Sequence, residues 1–282
     1  MDNNPNRIQN KYTRALVFIL LLLGSLVMLF PFFWMISGSL KTIREITSPE
    51  IIWWPEEAQW SNYAEVLTMK TNPFGIYFKN SILVAVANTV FTLFTTILAA
   101  FAFSRLEFKG RDKLFSILLA TMMVPSQMYI ITNFITITRM NLYDSLWAQI
   151  IPYTASVFYI YLLRQFFNQI PDQIYLAAKV DGCSDWKYLW KMMVPNAKSS
   201  LVTIGLFNFI ASWNAYLWPL MVTGNINKRV LSIGLQYFAS ESGTAYHLMM
   251  AGATIVVLPL IIIYLVFQKY IIQGIARGGL KG

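Results

Sequence analysis

The chain has 282 residues, of which 56% are hydrophobic and only 12% charged, with a net charge of +9 and a mean hydropathy of +0.51. Globular chains carry about a quarter charged residues, so this sequence lacks the polar residues to cover a water-facing surface. The apolar content excludes disorder, and a single cysteine with 14 aperiodic glycines excludes a disulfide scaffold and collagen. The composition therefore predicts a membrane protein.

Six apolar stretches are long enough to cross a bilayer core of about 30 Å, which takes roughly 20 helical residues. Taken in chain order, they are 15–36, 81–103, 114–136, 145–167, 201–222 and 248–268. Five of them contain a proline, which packed membrane helices tolerate as a kink. The sequence predicts an all-α polytopic protein, with a cytoplasmic tail at 1–14 and one six-helix transmembrane domain at 15–282.

The basic residues divide unequally between the two sides that these six spans define. Fifteen of the 22 lie on the side that carries both termini and the loop 168–200, and seven lie on the other side. Because basic loops stay in the cytoplasm, both termini are predicted to be cytoplasmic. The basic excess then reflects topology and anionic lipid headgroups, which removes the argument for a nucleic-acid partner.

Several sequence features that catalysis or nucleotide binding would need are missing. The spans contain essentially no ionisable residue, and the single histidine, His247, lies at the outer mouth of the last span. No G-x-x-x-x-G-K-[ST] loop is present, and one His with one Cys cannot form a metal cluster. We therefore expect no catalytic residue, no metal and no cofactor in this chain, and any energy for transport must come from another protein.

The largest inner loop, 168–200, has the signals of two short helices joined by a sharp turn. Pro171-Asp172 is typical of a helix start, and Gly182 suits the left-handed residue that ends such a helix. Ser184 can cap a second helix, and Pro195 is expected to stop it. The sequence therefore predicts a helical hairpin outside the bilayer, on the cytoplasmic side.

The residue types of this hairpin leave two interpretations open. Ala177 and Ala178 give one helix face a low profile that another protein surface could approach, and Trp186 adds apolar bulk. Lys179 and its neighbouring lysines suit anionic lipid equally well. The residues alone do not separate a docking element from an amphipathic hairpin that rests on the headgroups.

The pattern Ala177-Ala178-x-x-Asp181-Gly182, followed by Pro195, resembles the cytoplasmic coupling motif of permease subunits of binding-protein-dependent ABC importers. Its place between the fourth and fifth spans agrees with that resemblance. Further segments resemble landmarks of the maltose-type carbohydrate permeases, and together they cover essentially the whole chain: Asn80-Ser81, Phe103–Leu106, Leu163–Phe167, Trp213–Leu220 and Leu231–Leu235.

The motif departs from the family pattern at three positions. Leu176 stands where the family usually has Glu, which puts one ion pair with the ATPase in doubt. Cys183 replaces an Ala and is interpreted as a small residue, since a lone cysteine cannot pair within the chain. Ser199 replaces a second proline.

The resemblance implies the type I ABC importer permease fold in the bacterial plasma membrane. It implies a heterodimer with a second permease subunit, two ATPase subunits that bind ATP and Mg²⁺, and an extracellular solute-binding protein. Carried onto this sequence, the expected ATPase-coupling residues are Ala177, Ala178, Asp181, Gly182, Trp186 and Pro195.

The resemblance also implies import of a sugar or oligosaccharide, with glycerol phosphate as the alternative. The candidates for the substrate path are Trp213, Asn214, Tyr216 and Trp218. Trp and Tyr at that depth are also ordinary residues of the interfacial belt or of helix packing, and we favour this second interpretation. Two other functions remain open at this stage: an autonomous six-helix channel or carrier, and a membrane scaffold without transport.

Overall fold

The computed structural model describes residues 11–240 and 245–279, and in this part of the chain the regular elements are all helices, without a β-strand. The predicted all-α class is thereby confirmed. The α-helices are α1 Lys11–Ser39, α2 Ile43–Ile46, α3 Ser61–Thr68, α4 Phe74–Arg105, α5 Arg111–Thr121, α6 Ile130–Arg139, α7 Leu146–Ile150, α8 Val157–Asn168, α9 Asp172–Val180, α10 Asp185–Tyr188, α11 Val194–Asn196, α12 Lys198–Trp213, α13 Leu217–Val222, α14 Leu231–Ser240 and α15 Tyr246–Gly279. Residues 1–10 of the predicted tail and the C-terminal 280–282 lie outside the described residues.

Fewer continuous spans are present than the six predicted. Within the described ranges, three helices are long and apolar enough to cross a membrane: Tyr12–Ser39, Phe74–Arg105 and Tyr246–Lys269. Two pairs of shorter helices pass the same test only if each pair counts as one bent span: Arg111–Thr121 with Ser126–Arg139, bent by 88°, and Leu146–Tyr153 with Val157–Asn168, bent by 46°. These pairs correspond to the third and fourth predicted spans.

The bend of the third span lies at Pro125. A proline inside a helix lacks an N–H and clashes with the carbonyl four residues earlier, here that of Thr121. Helix α5 accordingly ends at Thr121, and a 3₁₀ turn at Ser126–Tyr129 leads into α6. Pro31 and Pro259, by contrast, lie inside the uninterrupted helices α1 and α15.

The bend of the fourth span follows Pro152, and α4 satisfies the carbonyls that it frees. The Thr92 hydroxyl donates to the Tyr153 carbonyl at 2.8 Å, and the Thr95 hydroxyl donates to the Thr154 carbonyl at 2.6 Å. Non-helical backbone at membrane depth needs such protein partners, because lipid offers none.

The fifth predicted span, 201–222, is not one helix. Helix α12 ends at Trp213, and α13 starts only at Leu217. In a continuous helix the ring of Pro219 would clash with the carbonyl of Ala215. The break releases that carbonyl, which accepts a hydrogen bond from the Ser232 hydroxyl at 2.6 Å.

The described chain forms two compact units. One combines the chain up to Leu67 with Phe238–Ile255, and in it the buried ammonium of Lys41 donates to the Ile52 carbonyl and lies 4.4 Å from the centre of the Trp34 ring.

The other unit combines Thr68–Tyr237 with the chain from Val256 onwards. In this unit α4 packs along both α8 and α12. Their shared core also receives side chains from the 168–200 loop, and its buried members are Ile97, Ala100, Phe101, Leu163, Phe167, Tyr188, Leu189, Met193, Ala197 and Ile204.

Candidate functional site

The loop 168–200 folds as the predicted helical hairpin. Gly182 has a φ of +72°, which confirms the left-handed conformation expected there. The amide of Cys183 donates to the Ala178 carbonyl at 2.9 Å, and the amide of Gly182 donates to the Lys179 carbonyl at 3.0 Å, which is a Schellman ending for α9. The Ser184 hydroxyl then caps α10 by accepting from the Lys187 amide at 3.3 Å.

The second helix ends one residue beyond Pro195, the residue that was predicted to stop it. The helical run continues from α10 through a π-helical turn at Leu189–Met193 into α11, and it breaks only at Ala197. Pro195 cannot donate a hydrogen bond and would crowd the carbonyl of Lys191 in regular α-helix. The π-helical turn just before Pro195 widens the helix, so the helix can continue over the proline without this clash.

The two faces of α9 have different surroundings. Tyr175 and Ala178 are half-buried and pack on the core of the second unit. Ala177 lies on the opposite face with Leu176, which is 60% exposed, and Val180, which is 89% exposed. The two alanines therefore differ in exposure, since Ala177 is exposed and Ala178 is partly buried against the core.

The remaining expected coupling residues lie on the outside of the hairpin. Asp181 is exposed and ends α9, with its amide donating to the Ala177 carbonyl at 3.0 Å. Trp186 is 58% exposed, and its ring meets that of Trp190 edge-on at 5.6 Å. Pro195 is also exposed. Four exposed apolar residues of the hairpin, Leu176, Ala177, Val180 and Trp186, are together called its outer surface.

A polar brace joins the two helices of the hairpin. The ammonium of Lys179 lies 2.6 Å from the Asp185 carboxylate, which also accepts a hydrogen bond of 2.6 Å from the Tyr175 hydroxyl. The hydrogen bond with Asp185 raises the pKa of Lys179. The hydrogen bonds with Lys179 and Tyr175 lower the pKa of Asp185. Both groups therefore stay charged at neutral pH, and they hold the turn at Gly182 closed.

Inside the same unit, the broken helices line a cavity of about 330 Å³. The described residues that line it carry no charged side chain, and they are Ser81, Val84, Asn88, Ser126, Gln127, Tyr129, Ile130, Asn133, Gln149, Tyr153, Asn208, Ala211, Ser212, Ala215, Tyr216, Leu217, Trp218, Pro219 and Val230.

Three amide atoms of this lining are buried and lack a hydrogen-bond partner among the described residues: Asn88 Oδ1, Gln149 Oε1 and Asn208 Nδ2. Burial of an unpaired amide atom costs free energy unless a ligand or water satisfies it. These atoms supply both acceptors and a donor beside aromatic rings, which is the chemistry that binds neutral hydroxyl groups. These three residues were not among the predicted site residues, although amides inside otherwise apolar spans indicate such a site from the sequence.

The four candidates for the substrate path separate in the structure. Tyr216 and Trp218 line the cavity, whereas Trp213 and Asn214 do not. The indole of Trp218 donates to the Ala148 carbonyl at 3.0 Å, and that of Trp213 donates to the Val256 carbonyl at 3.1 Å. Both tryptophans are buried and their indoles bond to the backbone of neighbouring segments, which contributes to helix packing, while Trp218 also lines the cavity.

Comparison with known proteins identifies the family. Residues 92–277 match the family model described as the inner membrane component of binding-protein-dependent transport systems. An arabinooligosaccharide transport system permease protein of Bacillus subtilis is 33% identical over 276 residues, covering 96% of each chain. An sn-glycerol-3-phosphate transport system permease protein of Yersinia pestis is 29% identical, covering 91% of this chain and 94% of that one.

A solved structure has the same fold over nearly the whole chain. The crystal structure of a bacterial ABC transporter that imports the acidic polysaccharide alginate contains a chain that matches with a TM-score of 0.82 and 27% identity, covering 94% of this chain and 99% of that one. The resemblance that the sequence motifs indicated is confirmed. The chain belongs to the family of inner-membrane permease components of binding-protein-dependent ABC importers.

Proposed function

We propose that this chain forms half of the translocation path of an ABC importer for a neutral sugar or oligosaccharide. The observation that carries this substrate class is the uncharged lining of the 330 Å³ cavity, with its unpaired amide atoms at Asn88, Gln149 and Asn208. A phosphate group would call for Arg or Lys, and neither occurs among the described residues of this lining. Glycerol phosphate is therefore the second candidate, and the Yersinia relative supports it.

The hairpin is the proposed contact with the ATPase. Its outer surface combines exposed apolar side chains at Leu176, Val180 and Trp186 with a rigid turn. In this proposal the partners are a second, different permease subunit, two ATPase subunits and an extracellular binding protein. ATP and Mg²⁺ bind the ATPase subunits, and the chain itself catalyses no reaction. ATP-driven closure would move the hairpin and shift the equilibrium between inward-open and outward-open states.

A sugar-binding cavity predicts a specific effect of Asn208→Leu. This change removes the unpaired amide nitrogen without removing a hydrogen bond within the described chain, so folding should be unaffected. Loss of one hydrogen bond to the sugar should lower uptake about tenfold. The measurement is uptake of a radiolabelled arabino-oligosaccharide by cells that express the whole assembly, with sn-glycerol-3-phosphate as the comparison.

The matched control is Thr89→Val, because the Thr89 hydroxyl donates to the Ala85 carbonyl of its own helix and lies outside the cavity lining. It should leave uptake within about twofold of the parent. Import of glycerol phosphate with no import of any neutral oligosaccharide would contradict the proposed substrate class. An autonomous channel would instead import without the ATPase subunits, and the relatives, both permease components, do not favour it.

A further inference from the structure

Arg105, the last residue of α4, has a buried guanidinium that reaches the base of the hairpin. Only 3% of its side chain is exposed. Its Nη2 donates to the carbonyls of Phe167 and Ile170, each at 2.6 Å. Its Nη1 lies 3.3 Å from the Asp172 carboxylate. A single side chain therefore contacts the end of α8, the linker after it and the first residue of α9.

These contacts lie across a short joint, which the backbone hydrogen bonds of Gln169 to Phe166 and of Ile170 to Phe167, each at 3.1 Å, also cross. Only residues 169–171 connect α8 to α9, and Pro171 lacks an N–H. The last carbonyls of a helix have no partner within it, and the negative end of its dipole attracts a cation. Arg105 adds a cationic donor to the Phe167 carbonyl, which also accepts from the Ile170 amide at 3.1 Å, and it ties the first residue of α9 to the end of α8 through Asp172.

We propose that Arg105 is the positioning residue that transmits movement of the hairpin to α4. This inference rests on the proposed function of the hairpin. With the guanidinium in place, α8, the linker and α9 move as one body with the inner end of α4. Without it, a displaced hairpin bends at residues 169–171, and α4, which carries Asn88 of the cavity, stays behind.

Arginine is suited to this task in a way that lysine is not. Its planar guanidinium offers several donors in fixed directions, so one side chain serves two carbonyls and a carboxylate together. A lysine would keep the positive charge but hold a single point contact. Arg105→Lys is therefore expected to restore assembly without restoring full coupling.

A second inner-side arginine provides a matched control. Arg164 donates to the Phe103 carbonyl at 3.0 Å, lies 3.6 Å from Asp112 and covers the Phe115 ring at 4.1 Å. These three contacts join α4, α5 and α8, and they do not involve the hairpin. Arg164→Met removes as many charges and as much bulk as Arg105→Met, so it reports the cost of losing an inner-side arginine as such.

The test uses the full assembly in proteoliposomes and measures the number of arabino-oligosaccharide molecules imported per ATP hydrolysed, together with retention of the ATPase subunits. Arg105→Met should keep the ATPase subunits and their hydrolysis but lower the transport ratio by about tenfold, the effect of losing charge-assisted hydrogen bonds. Arg105→Lys should give an intermediate ratio. Arg164→Met should change hydrolysis and transport in proportion, leaving the ratio within about twofold of the parent.

An unchanged ratio in both Arg105 variants would overturn the inference, because the buried apolar packing would then suffice for transmission. If Arg105→Met does not assemble, the ratio of Arg105→Lys decides in the same way. An equally large fall in the number of molecules imported per ATP in Arg164→Met would also overturn the inference. Failure of the proposed function has a different signature: hairpin variants such as Gly182→Val would retain the ATPase subunits and import normally, whatever the Arg105 variants do.

Discussion

At the scale of single residues, Gly182 is the position where backbone geometry bears most directly on function. Its φ of +72° is costly for a side chain with a β-carbon, by about 1–2 kcal/mol. Among the described residues, no neighbouring atom lies within 4 Å of the place that a β-carbon would occupy, so the cost of Gly182→Val comes from the backbone and not from a clash. We expect this variant to insert and fold, but to retain less ATPase in a pulldown from solubilised membranes.

Gly110 supplies an equivalent position away from the hairpin. It has a φ of +86° and is equally open, at the start of α5. Gly110→Val should therefore carry the same backbone strain, while retention of the ATPase stays at the parent level. If both variants retain the ATPase at the parent level, the turn at Gly182 has no role in docking. If both variants lose the ATPase to the same extent, strain at Gly110 is as damaging to docking as strain at Gly182.

At the scale of elements, the brace between α9 and α10 is expected to stabilise the hairpin modestly. Asp185→Asn removes the ion pair with Lys179 and weakens the hydrogen bond from Tyr175, whereas Tyr175→Phe removes only the latter. Because the side chains of Lys179 and Asp185 are 42% and 41% exposed, solvent screens the pair. Hydrogen exchange of the amides at 181–183 should be faster in Asp185→Asn by less than about fivefold.

The shifted pKa values of this pair define the pH range in which the brace acts. The pKa of Asp185 is lowered from 3.8, so its stabilisation is complete above that value and is lost as the pH falls through the lowered pKa. The pKa of Lys179 is raised from 10.5, so its contribution is complete below that value and is lost as the pH rises through the raised pKa. Exchange at 181–183 should thus show no pH-dependent loss of protection from the pair between about pH 5 and 9, and such a loss near pH 7 would contradict this account.

At the scale of the whole molecule, the distribution of basic residues predicts the orientation in the membrane. Cysteine labelling on a Cys183→Ser background tests it with Trp53→Cys and Lys187→Cys. Both positions are exposed, so accessibility within the protein does not limit either reaction. A membrane-impermeant thiol reagent should label position 53 in intact cells and position 187 only after permeabilisation. The reverse pattern would invert the topology and place the hairpin outside, where no ATPase can reach it.

The features that could be predicted from the sequence are local in origin. The all-α class follows from apolar runs too long for any other spanning structure, and the hairpin follows from Pro171, Gly182 and Ser184, each of which acts on its own turn. The family was indicated by a resemblance that the 177–182 motif and further segments along the chain carry, and the family match over residues 92–277 confirms it.

The tertiary structure alone decided which prolines break a helix. Five spans contain one, yet α1 and α15 continue through Pro31 and Pro259. The helices are interrupted after Pro152 and before Pro219. At these two interruptions, the Thr95 and Ser232 hydroxyls, which come from distant segments, donate to the backbone carbonyls that the helix no longer pairs. Local sequence carries no record of such partners, because they come from residues far away in the chain.

The observed site differs from the predicted one for the same reason, namely that its contacts come from residues far away in the chain. Which of two adjacent alanines is open depends on the core beneath α9, and the packing role of Trp218 depends on the Ala148 carbonyl, 70 residues away. The contact of Arg105 with Ile170 spans 65 residues. Helical periodicity determines what lies on one face of one helix, whereas the neighbour of that face is set by how all the helices pack together.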